Sequence, residues 1–421
     1  MDSSAVEKAY ALSREKYAGL GVDTDKALSR LQAVSLSLHC WQGDDVGGFE
    51  ASARDLQGSG LQVTGSYPGK ARNVDELRAD LRQAFALIPG RHRLNLHAMY
   101  GEFGGRRVDR NEIEPGHFRG WVEWAKQESL KLDFNATCFG HPKAAAGFTL
   151  SSRDAGTRRF WIDHVKACRK ISAYLGRELQ STCLHNLWIP DGSKDVPVDR
   201  WMRRALLKKS LDEIYETAYN PLQMKDSLES KLFGIGSESF VVGSHEFYLG
   251  YALTKRMLVC LDLGHFHPTE SVADKISAIL LFSPELLIHV SRGVRWDSDH
   301  VVVLNDELRS LAEEIVRSQA LDRIHVALDY FDASMNRVGA WVLGARATLR
   351  ALLIALLEPR QRLEEIDRTD RVLPRLAALE ELKAMPHGSV WDYFCLQSGV
   401  PPADAWLKDI EAYEKKVLSK R

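Results

Sequence analysis

The sequence predicts an α/β fold, a (β/α)8 barrel with an N-terminal helix and a C-terminal helical extension. Short apolar or alternating segments recur about eight times, and nearly every gap between them holds a helical pattern. Strands that alternate with helices indicate a parallel sheet, and about eight such units favour a closed barrel. An open doubly wound sheet is the alternative, but no GxGxxG motif or P-loop follows any strand.

The predicted elements follow one another along the whole chain. Residues 4–33 predict the N-terminal helix, because apolar side chains recur there at roughly helical spacing. The strand candidates are 33–41, 93–100, 130–139, 181–190, 227–234, 257–264, 286–292 and 323–331. The helical patterns between them include 74–88, 115–130, 157–176, 198–219 and 304–319.

Two segments lie outside the regular repeat. The Gly/Ser-rich segment 47–70 contains no phosphate-binding motif, and we interpret it as a long mobile loop that could act as a lid. After residue 339 the chain is mostly helical and charged. We therefore assign residues 1–338 to a catalytic barrel domain with its N-terminal helix. Residues 339–421 form the predicted extension, which would pack on the barrel or on another subunit.

Composition and charge exclude several classes of protein. The net charge of −1, with 45% hydrophobic and 27% charged residues, is ordinary for a soluble globular protein and offers no basic field for nucleic acid. The start "MDSSAVEKAY" lacks the apolar segment of a signal peptide, and no stretch approaches the ~18 apolar residues of a membrane span. The six cysteines are scattered without a CxxC pair, so we expect reduced thiols in a cytoplasmic protein.

Acidic and imidazole side chains lie in the last four strand candidates or in the loops that follow them. They are Glu229, Asp262, His265, His289, Asp297, Asp299 and Asp329. Each alone has an ordinary interpretation as a helix cap, a core histidine or a solvated loop residue. In a barrel, however, the carboxyl ends of the strands converge, and so many carboxylates would repel one another. Divalent cations remove that repulsion, and the size of this oxygen-rich set indicates two ions, with Mn²⁺, Mg²⁺ or Co²⁺ favoured.

Ten sequence blocks resemble a known family nearly end to end. They are "LHCWQGDDV", "YPGKARN", "LNLHAMY", "WVEWAK", "LDFN", "IPDG", "ESKLFGIG", "LDLGHFHPTE", "HVSRGVRWDSDHVV" and "LDYFDASMNR". On these blocks the chain resembles the L-rhamnose isomerase family of xylose-isomerase-like barrels. The resemblance implies a homotetrameric aldose–ketose isomerase of L-rhamnose catabolism, which interconverts L-rhamnose and L-rhamnulose with two divalent ions.

The resemblance also implies a division of the metal ligands. The structural ion would be held by Glu229, Asp262, His289 and Asp329. The catalytic ion would be held by His265, Asp297 and Asp299, with Asp262 as a bridge. We expect Mn²⁺, with Co²⁺, Mg²⁺ or Zn²⁺ as alternatives. His267 is not among these ligands, and we expect it to support or pack against them.

Further side chains are expected at the sugar. Lys231 follows Glu229 by two residues and so shares its face; it can hydrogen-bond O1 of the sugar or pair with a ligand carboxylate. His97 matches the imidazole that the family places near the ring oxygen, a candidate for ring opening, with a core histidine as the alternative. Asp299 is assigned a catalytic role at the second ion.

Aromatic residues offer faces for the sugar. Trp188, at the end of the fourth strand, can stack on C–H groups of the sugar or be a buried structural residue. Trp41 and Phe134 are further candidates of the same kind. Segments 99–107 and 47–70 would shape the end of the site that holds C5 and C6. An apolar wall there would favour the methyl group of rhamnose by about 1–3 kcal/mol.

The hydrogen transfer and some rival functions stay open. Hydrogen can move between C1 and C2 as a hydride, which is favoured because no carboxylate remains as a base, or through an enediol with a metal-bound hydroxide. Metal-dependent endonucleases of this barrel type need a basic surface, and amidohydrolases place an HxH motif at the first strand rather than the sixth. An exported sugar-binding protein would need a signal peptide. The nearest rivals are aldose isomerases that act on L-lyxose, L-mannose or D-allose.

Overall fold

The computed structural model describes residues 2–50, 65–232, 239–294 and 296–421; the side chains of residues 296–298 lie outside this description. The barrel strands are β1 Leu36–His39, β2 Arg93–His97, β3 Lys131–Asn135, β4 Cys183–Trp188, β5 Met224–Glu229, β6 Leu258–Asp262, β7 Leu286–Val290 and β8 Ile324–Leu328. They pair in parallel and close in the order β1-β8-β7-β6-β5-β4-β3-β2. The predicted (β/α)8 barrel is therefore confirmed.

Helices precede, connect and follow the barrel strands. They are α1 Ser3–Ala18, α2 Thr24–Gln32, α3 Val74–Phe85, α4 Arg119–Gln127, α5 Ala155–Leu179, α6 Arg200–Ile214, α7 His245–Lys255, α8 Ala273–Leu280, α9 Asp306–Arg317, α10 Arg337–Leu356, α11 Arg360–Asp367, α12 Val372–Lys383, α13 His387–Gln397 and α14 Trp406–Lys416. Each barrel strand is followed by one of the helices α3 to α10. Asn73, Asp154, Asp199 and Asn305 each begin a helix by accepting a hydrogen bond from the backbone N–H three residues on.

The N-terminal helix differs from the prediction, because it is two helices rather than one. The chain leaves α1 through Gly21, whose φ of 79° lies in the left-handed region. Asp23 then caps α2 by accepting a hydrogen bond from Lys26 N at 3.0 Å. The continuous apolar spacing of residues 4–33 hid this break, because each of the two helices buries one face against the rest of the chain.

Two short antiparallel sheets supplement the barrel. Gly192–Ser193 pairs with Phe240–Val241, and Arg292–Val294 pairs with Trp296–His300. The second sheet follows β7 directly and carries Asp297 and Asp299 above the carboxyl end of the barrel.

Helix α10 belongs to the barrel and is largely buried. Its Trp341 Nε1 donates to His39 O at 3.0 Å, which joins the helix to β1. By length and composition alone α10 could cross a membrane, but 78% of the relevant stretch is buried inside the protein, as in the core helix of a soluble protein. The predicted boundary at residue 338 falls inside α10. The division into a barrel domain and an extension after residue 339 therefore stays a prediction.

The segment 47–70 is described only at its two ends. Gly48 N donates to Asp44 Oδ2 at 2.7 Å, and Tyr67 N donates to Ala333 O at 2.8 Å, so both ends lie at the carboxyl end of the barrel. Residues 51–64, on which the predicted lid falls, lie outside the described residues.

Gly176 in α5 allows the helix to approach the connection before β5. A Cβ atom there would lie 1.7 Å from Gln223 O, which is backbone and cannot move aside cheaply. We expect Gly176→Ala to lower the free energy of unfolding by about 1–3 kcal/mol or more. Gly250→Ala in α7 is the matched control, because nothing lies within 4 Å of its Cβ position. That change should raise stability by ~0.5–1 kcal/mol. Chemical denaturation measures both, and equal effects of one sign would contradict the prediction.

Candidate active site

The carboxyl end of the barrel gathers four predicted metal ligands into one buried group. Glu229, Asp262, His289 and Asp329 each offer a ligand atom, and these atoms all lie within 4.8 Å of one another. His289 Nδ1 lies 2.9 Å from Asp329 Oδ2, 3.4 Å from Glu229 Oε2 and 3.7 Å from Asp262 Oδ2. The imidazole is thus surrounded by three carboxylates.

Strand register explains why residues so distant in sequence meet. Asp262 on β6 lies directly opposite His289 on β7, and Glu229 ends the neighbouring β5. Asp329 follows β8, held to β7 by its N–H, which donates to Val290 O at 3.1 Å. Side chains alternate along a strand, so these terminal residues all point into the barrel.

A second group overlaps the first through Asp262. Ligand atoms of Asp262, His265 and Asp299 also lie within 4.8 Å of one another. Asp262 begins the short turn Leu263–His265 by accepting from Gly264 N at 2.7 Å, which places His265 one turn above the strand. Asp299 reaches the group from the hairpin after β7. The side chain of Asp297, predicted beside it, lies outside the described residues.

The charged side chains of the two groups shift one another's pKa values. Burial raises the pKa of Asp262 to about 7, and the charges of Glu229 and Asp329 act in the same direction. Burial would lower the pKa of His265, but Asp262 and Glu229 outweigh it and raise this pKa to about 10. Burial would also raise the pKa of Glu229, but His289 and His265 hold it well below its usual range. The carboxylates therefore require nearby positive charge, which a divalent cation also supplies.

Orphaned polar atoms show that the residues present fit a metal ion. Asp262 Oδ2 and His289 Nε2 are buried without a hydrogen-bond partner among the described residues. A buried polar atom that lacks a partner is costly, so such atoms within one group of carboxylates and imidazoles indicate a shared ligand. Carboxylate oxygens with a minority of imidazole nitrogens suit a divalent ion.

His39 is a site residue that the sequence analysis missed. It joins His289 and Asp329 in a further possible ligand group, with Nδ1 3.2 Å from Asp329 Oδ1. The same Nδ1 lies 3.1 Å from His97 Nε2. Burial lowers the pKa of His39 well below its usual range, so the ring is neutral at pH 7. Its position at the end of the first strand, two residues before Trp41, was a signal that could have found it.

The residues predicted at the sugar line one cleft beside these groups. Lys231, His97, Trp188 and Trp41 all face it, and Lys231 Nζ lies 5.1 Å from the centroid of the Trp188 ring. Trp41 stacks on His97 with ring centroids 3.8 Å apart. His267 instead lies on an exposed turn, where its Nδ1 is 2.7 Å from Thr269 Oγ1.

Phe134 is not among the described residues that line this cleft. It is fully buried in the hydrophobic core and packs edge-on against Phe118, with centroids 5.0 Å apart. Its neighbours on β3 alternate with it and face the barrel interior instead. The cleft takes its aromatic wall from Phe139 and Phe331, which follow β3 and β8. Phe139 lies 5.6 Å from Trp188 and Phe331 lies 5.5 Å from Trp41.

The fold and the site together define a class: a (β/α)8 barrel protein whose carboxyl end carries overlapping carboxylate–imidazole groups that could hold metal ions. A family profile described as L-rhamnose isomerase (RhaA) matches residues 4–421. The chain belongs to the L-rhamnose isomerase family, and it is an enzyme, an isomerase. The resemblance seen in the sequence blocks is confirmed.

Individual relatives agree with the family match. Proteins named L-rhamnose isomerase from Rhodopirellula baltica and Bacteroides thetaiotaomicron are 56% and 54% identical, covering 99% of this chain and 97% and 99% of their own. The protein of that name from Escherichia coli is 53% identical over the full length of both chains. A solved structure of L-ribulose 3-epimerase aligns with 79% of this chain and 97% of its own, at 12% identity and a TM-score of 0.49.

Proposed function

We propose that the protein interconverts L-rhamnose and L-rhamnulose in L-rhamnose catabolism. The observation that carries this proposal is the pair of ligand groups sharing Asp262 beside an aromatic-walled cleft. The chain that carries this site is 53–56% identical, over nearly its whole length, to proteins named L-rhamnose isomerase. An aldose–ketose isomerase needs charge stabilisation at two adjacent sugar oxygens, which two neighbouring cation sites can supply.

The proposed ligands divide between two ions as the resemblance implies. Glu229, Asp262, His289 and Asp329 would hold one ion, and the other would be held by His265, Asp297, Asp299 and the shared Asp262. When bound, divalent ions of this kind, with Mn²⁺ expected and Co²⁺, Mg²⁺ or Zn²⁺ as alternatives, polarise sugar oxygens and neutralise developing negative charge. Asp262 Oδ1 is held by Gly264 N and Ser291 Oγ, which leaves Oδ2 directed into the site.

Lys231 and His97 act on the sugar oxygens in this proposal. Lys231 is 7% exposed at the edge of the cleft, where a fixed cation stabilises negative charge on O1. Burial lowers the pKa of His97 to about 3, so its ring is neutral and can accept the hydrogen of the anomeric hydroxyl without holding a full charge. Its close neighbour His39, whose Nδ1 lies 3.1 Å from His97 Nε2 and 3.2 Å from Asp329 Oδ1, would hold the His97 ring in position.

Trp188 and the hydrogen transfer complete the proposed mechanism. The indole of Trp188 covers a C–H face of the sugar and excludes water from it. Because the carboxylates of the site are assigned to ions, no free carboxylate remains to take a proton from carbon. We therefore expect a hydride to pass between C1 and C2. Reaction in D₂O distinguishes the routes, since solvent deuterium at C1 or C2 of the product would count against the hydride shift.

Replacement of Lys231 separates its catalytic role from an ion-pairing role. Lys231→Met should lower kcat by about 10²–10³-fold with a smaller change in KM, because the cation matters most when negative charge develops. Lys231→Arg retains the charge and is the matched control, which should recover part of the rate. Metal content per chain is measured in both variants. A Met variant that loses metal in proportion to its activity would assign Lys231 to ligand pairing instead.

The substrate proposal is tested with a panel of aldoses. The metal-loaded enzyme is assayed with L-rhamnose, L-mannose, L-lyxose and D-allose, and the product of L-rhamnose is identified as L-rhamnulose. The aromatic wall of Trp41, Phe139 and Phe331 supports a preference for the 6-deoxy sugar, which we expect to be ~10–200-fold in kcat/KM over L-mannose. Turnover of another aldose without turnover of L-rhamnose would overturn the proposal.

The assembly and location are also proposed rather than observed. We expect a cytoplasmic homotetramer whose contacts include the helices after residue 339. The exposed apolar side chains of Val372, Leu373 and Leu376 on α12, at 56%, 78% and 55% exposure, support a contact surface there. Sedimentation of the purified protein measures the subunit number, and a monomer at assay concentration would contradict this expectation.

A further inference from the structure

Part of the barrel interior is lined by polar side chains. Barrels of this type are normally filled by bulky branched apolar side chains. Here β1 to β5 contribute inward-facing polar residues, namely Ser37, Asn95, Asp133, Asn186 and Ser227. Leu184, Leu258, Cys260, Leu287 and Ala327 form a small apolar cluster in the same interior. The interior therefore combines polar side chains from β1 to β5 with an apolar cluster that comes mainly from β6 to β8.

A cavity lies in this interior and is open at the amino-terminal face of the barrel. Its volume is about 340 Å³. Its walls are formed by the polar Ser37 and Asp133 and by the apolar Leu184, Leu287 and Ala327. Ser35 and Thr182 lie at its rim, and Asn95 and Asn186 line its inner end. This is the opposite end of the barrel from the sugar cleft. The space is enough for on the order of ten water molecules.

The two asparagines at the inner end connect the cavity to the floor of the active site. Asn95 Nδ2 lies 2.9 Å from His39 Nε2, and Asn186 Nδ2 donates to Glu229 Oε2. Both amide groups thus turn their N–H₂ toward site residues. Their carbonyl oxygens, Asn95 Oδ1 and Asn186 Oδ1, have no hydrogen-bond partner in the part of the chain that the structure describes.

The charges in the cavity wall are already satisfied. Asp133 accepts from Arg93 Nε and Ser37 Oγ at 2.7 Å each, and from Leu184 N at 2.9 Å. With its carboxylate paired in this way, the wall does not call for an ionic ligand. The cavity-lining side-chain atoms without partners among the described residues are the two amide oxygens, and what they require is a small neutral hydrogen-bond donor. Buried carbonyl oxygens in a polar space of this size are normally satisfied by water.

We propose that this cavity is a hydrated axial channel. A file of water molecules runs from Ser35 and Thr182 at the amino-terminal face to Asn95 and Asn186, and it supplies the missing partners of their amide oxygens. Through these two residues the floor of the active site, at His39 and Glu229, stays in hydrogen-bonded contact with solvent while a ligand fills the cleft above. This inference does not depend on which sugar the enzyme converts.

Crystallography of the unmodified protein under xenon pressure tests the channel directly. Xenon enters dry apolar cavities, whereas ordered water excludes it. We expect water density within hydrogen-bond distance of Asn95 Oδ1 and Asn186 Oδ1, continuous to the rim, and no xenon in this space. Xenon in the cavity, or water that stops short of both asparagines, would overturn the proposal.

Two variants of equal shape give an independent test in solution. Ala327 lies in the wall between the cavity and the apolar cluster, so Ala327→Thr and Ala327→Val place the same volume there and differ only in a hydroxyl. In a hydrated channel the threonine hydroxyl joins the water file, while the valine displaces water and leaves carbonyl oxygens unpaired. We expect the Thr variant to have the higher Tm. A higher Tm for the Val variant would show a dry cavity.

Discussion

Asp262→Asn is expected to lower kcat/KM by about 10³-fold or more, because this carboxylate is the one described side chain that belongs to both ligand groups. Asparagine keeps the shape of the residue and can keep the hydrogen bonds that Oδ1 accepts from Gly264 and Ser291. What it loses is the negative charge on Oδ2. The loss therefore reports the charge shared between the proposed ions rather than a collapse of the turn.

The stability of the same variant, measured without metal, should not fall with its activity. The pKa of Asp262 is raised to about 7 in the folded protein, so its ionised form is disfavoured there relative to the unfolded chain. In metal-free protein this residue thus contributes stability at low pH that is lost as the pH rises from 3.8 toward about 7. Removing the charge at pH 7 should leave the metal-free Tm unchanged or higher.

Asp133→Asn is the matched control for Asp262→Asn. Asp133 is also a buried aspartate that faces the barrel interior, but it pairs with Arg93, with Arg93 Nη2 2.7 Å from its Oδ1. Its replacement leaves Arg93 without its buried partner and should cost about 3–5 kcal/mol of stability. Activity per folded molecule should be kept. Steady-state kinetics measure the activity of both variants, and thermal unfolding measures their stability. An Asp262→Asn enzyme within tenfold of normal activity would refute the shared-ligand role.

Metal removal should abolish activity and lower the stability of the unmodified enzyme. The carboxylates of the two groups repel one another without a cation, and a bound ion at 100 times its Kd adds ~2.7 kcal/mol to the free energy of unfolding. Chelation should reduce turnover to background. Separate re-addition of Mn²⁺, Co²⁺, Mg²⁺ and Zn²⁺ should restore it to different extents and rank the ions. Activity that persists after complete chelation would contradict a metal-dependent mechanism.

Ligand variants test the division into two ions. Asp299 belongs to the group with Asp262 and His265, whereas Asp329 belongs to the group with Glu229 and His289. Asp299→Asn and Asp329→Asn should each retain one ion per chain where the unmodified enzyme holds two. Elemental analysis of the dialysed proteins gives the counts. One ion in the unmodified enzyme would show that the two groups form a single site.

The sequence by itself determined the barrel and most of the candidate metal-ligand group. Strand-length apolar segments and helical spacing are properties of short stretches of sequence. They can therefore be recognised without knowing which segments pack together. The end of a strand is also a local feature, so Asp262 and His289 could be expected at the same edge of the sheet before their register was known. Family resemblance then divided the ligands between two ions, which local pattern alone could not do.

Other contacts at the site depend on how the barrel closes and on where side chains point. Only the tertiary structure decided these contacts. His39 meets Asp329 only because β1 pairs with β8, which joins residues 290 positions apart. Phe134 points into the core while Phe139 reaches the cleft, because alternation along β3 and the course of the following loop set which face each ring occupies. The polar part of the cavity lining likewise exists only when neighbouring strands bring Ser37, Asn95, Asp133 and Asn186 together in the barrel interior. Contacts of this kind depend on register between distant segments, and that register is not encoded in any one of them.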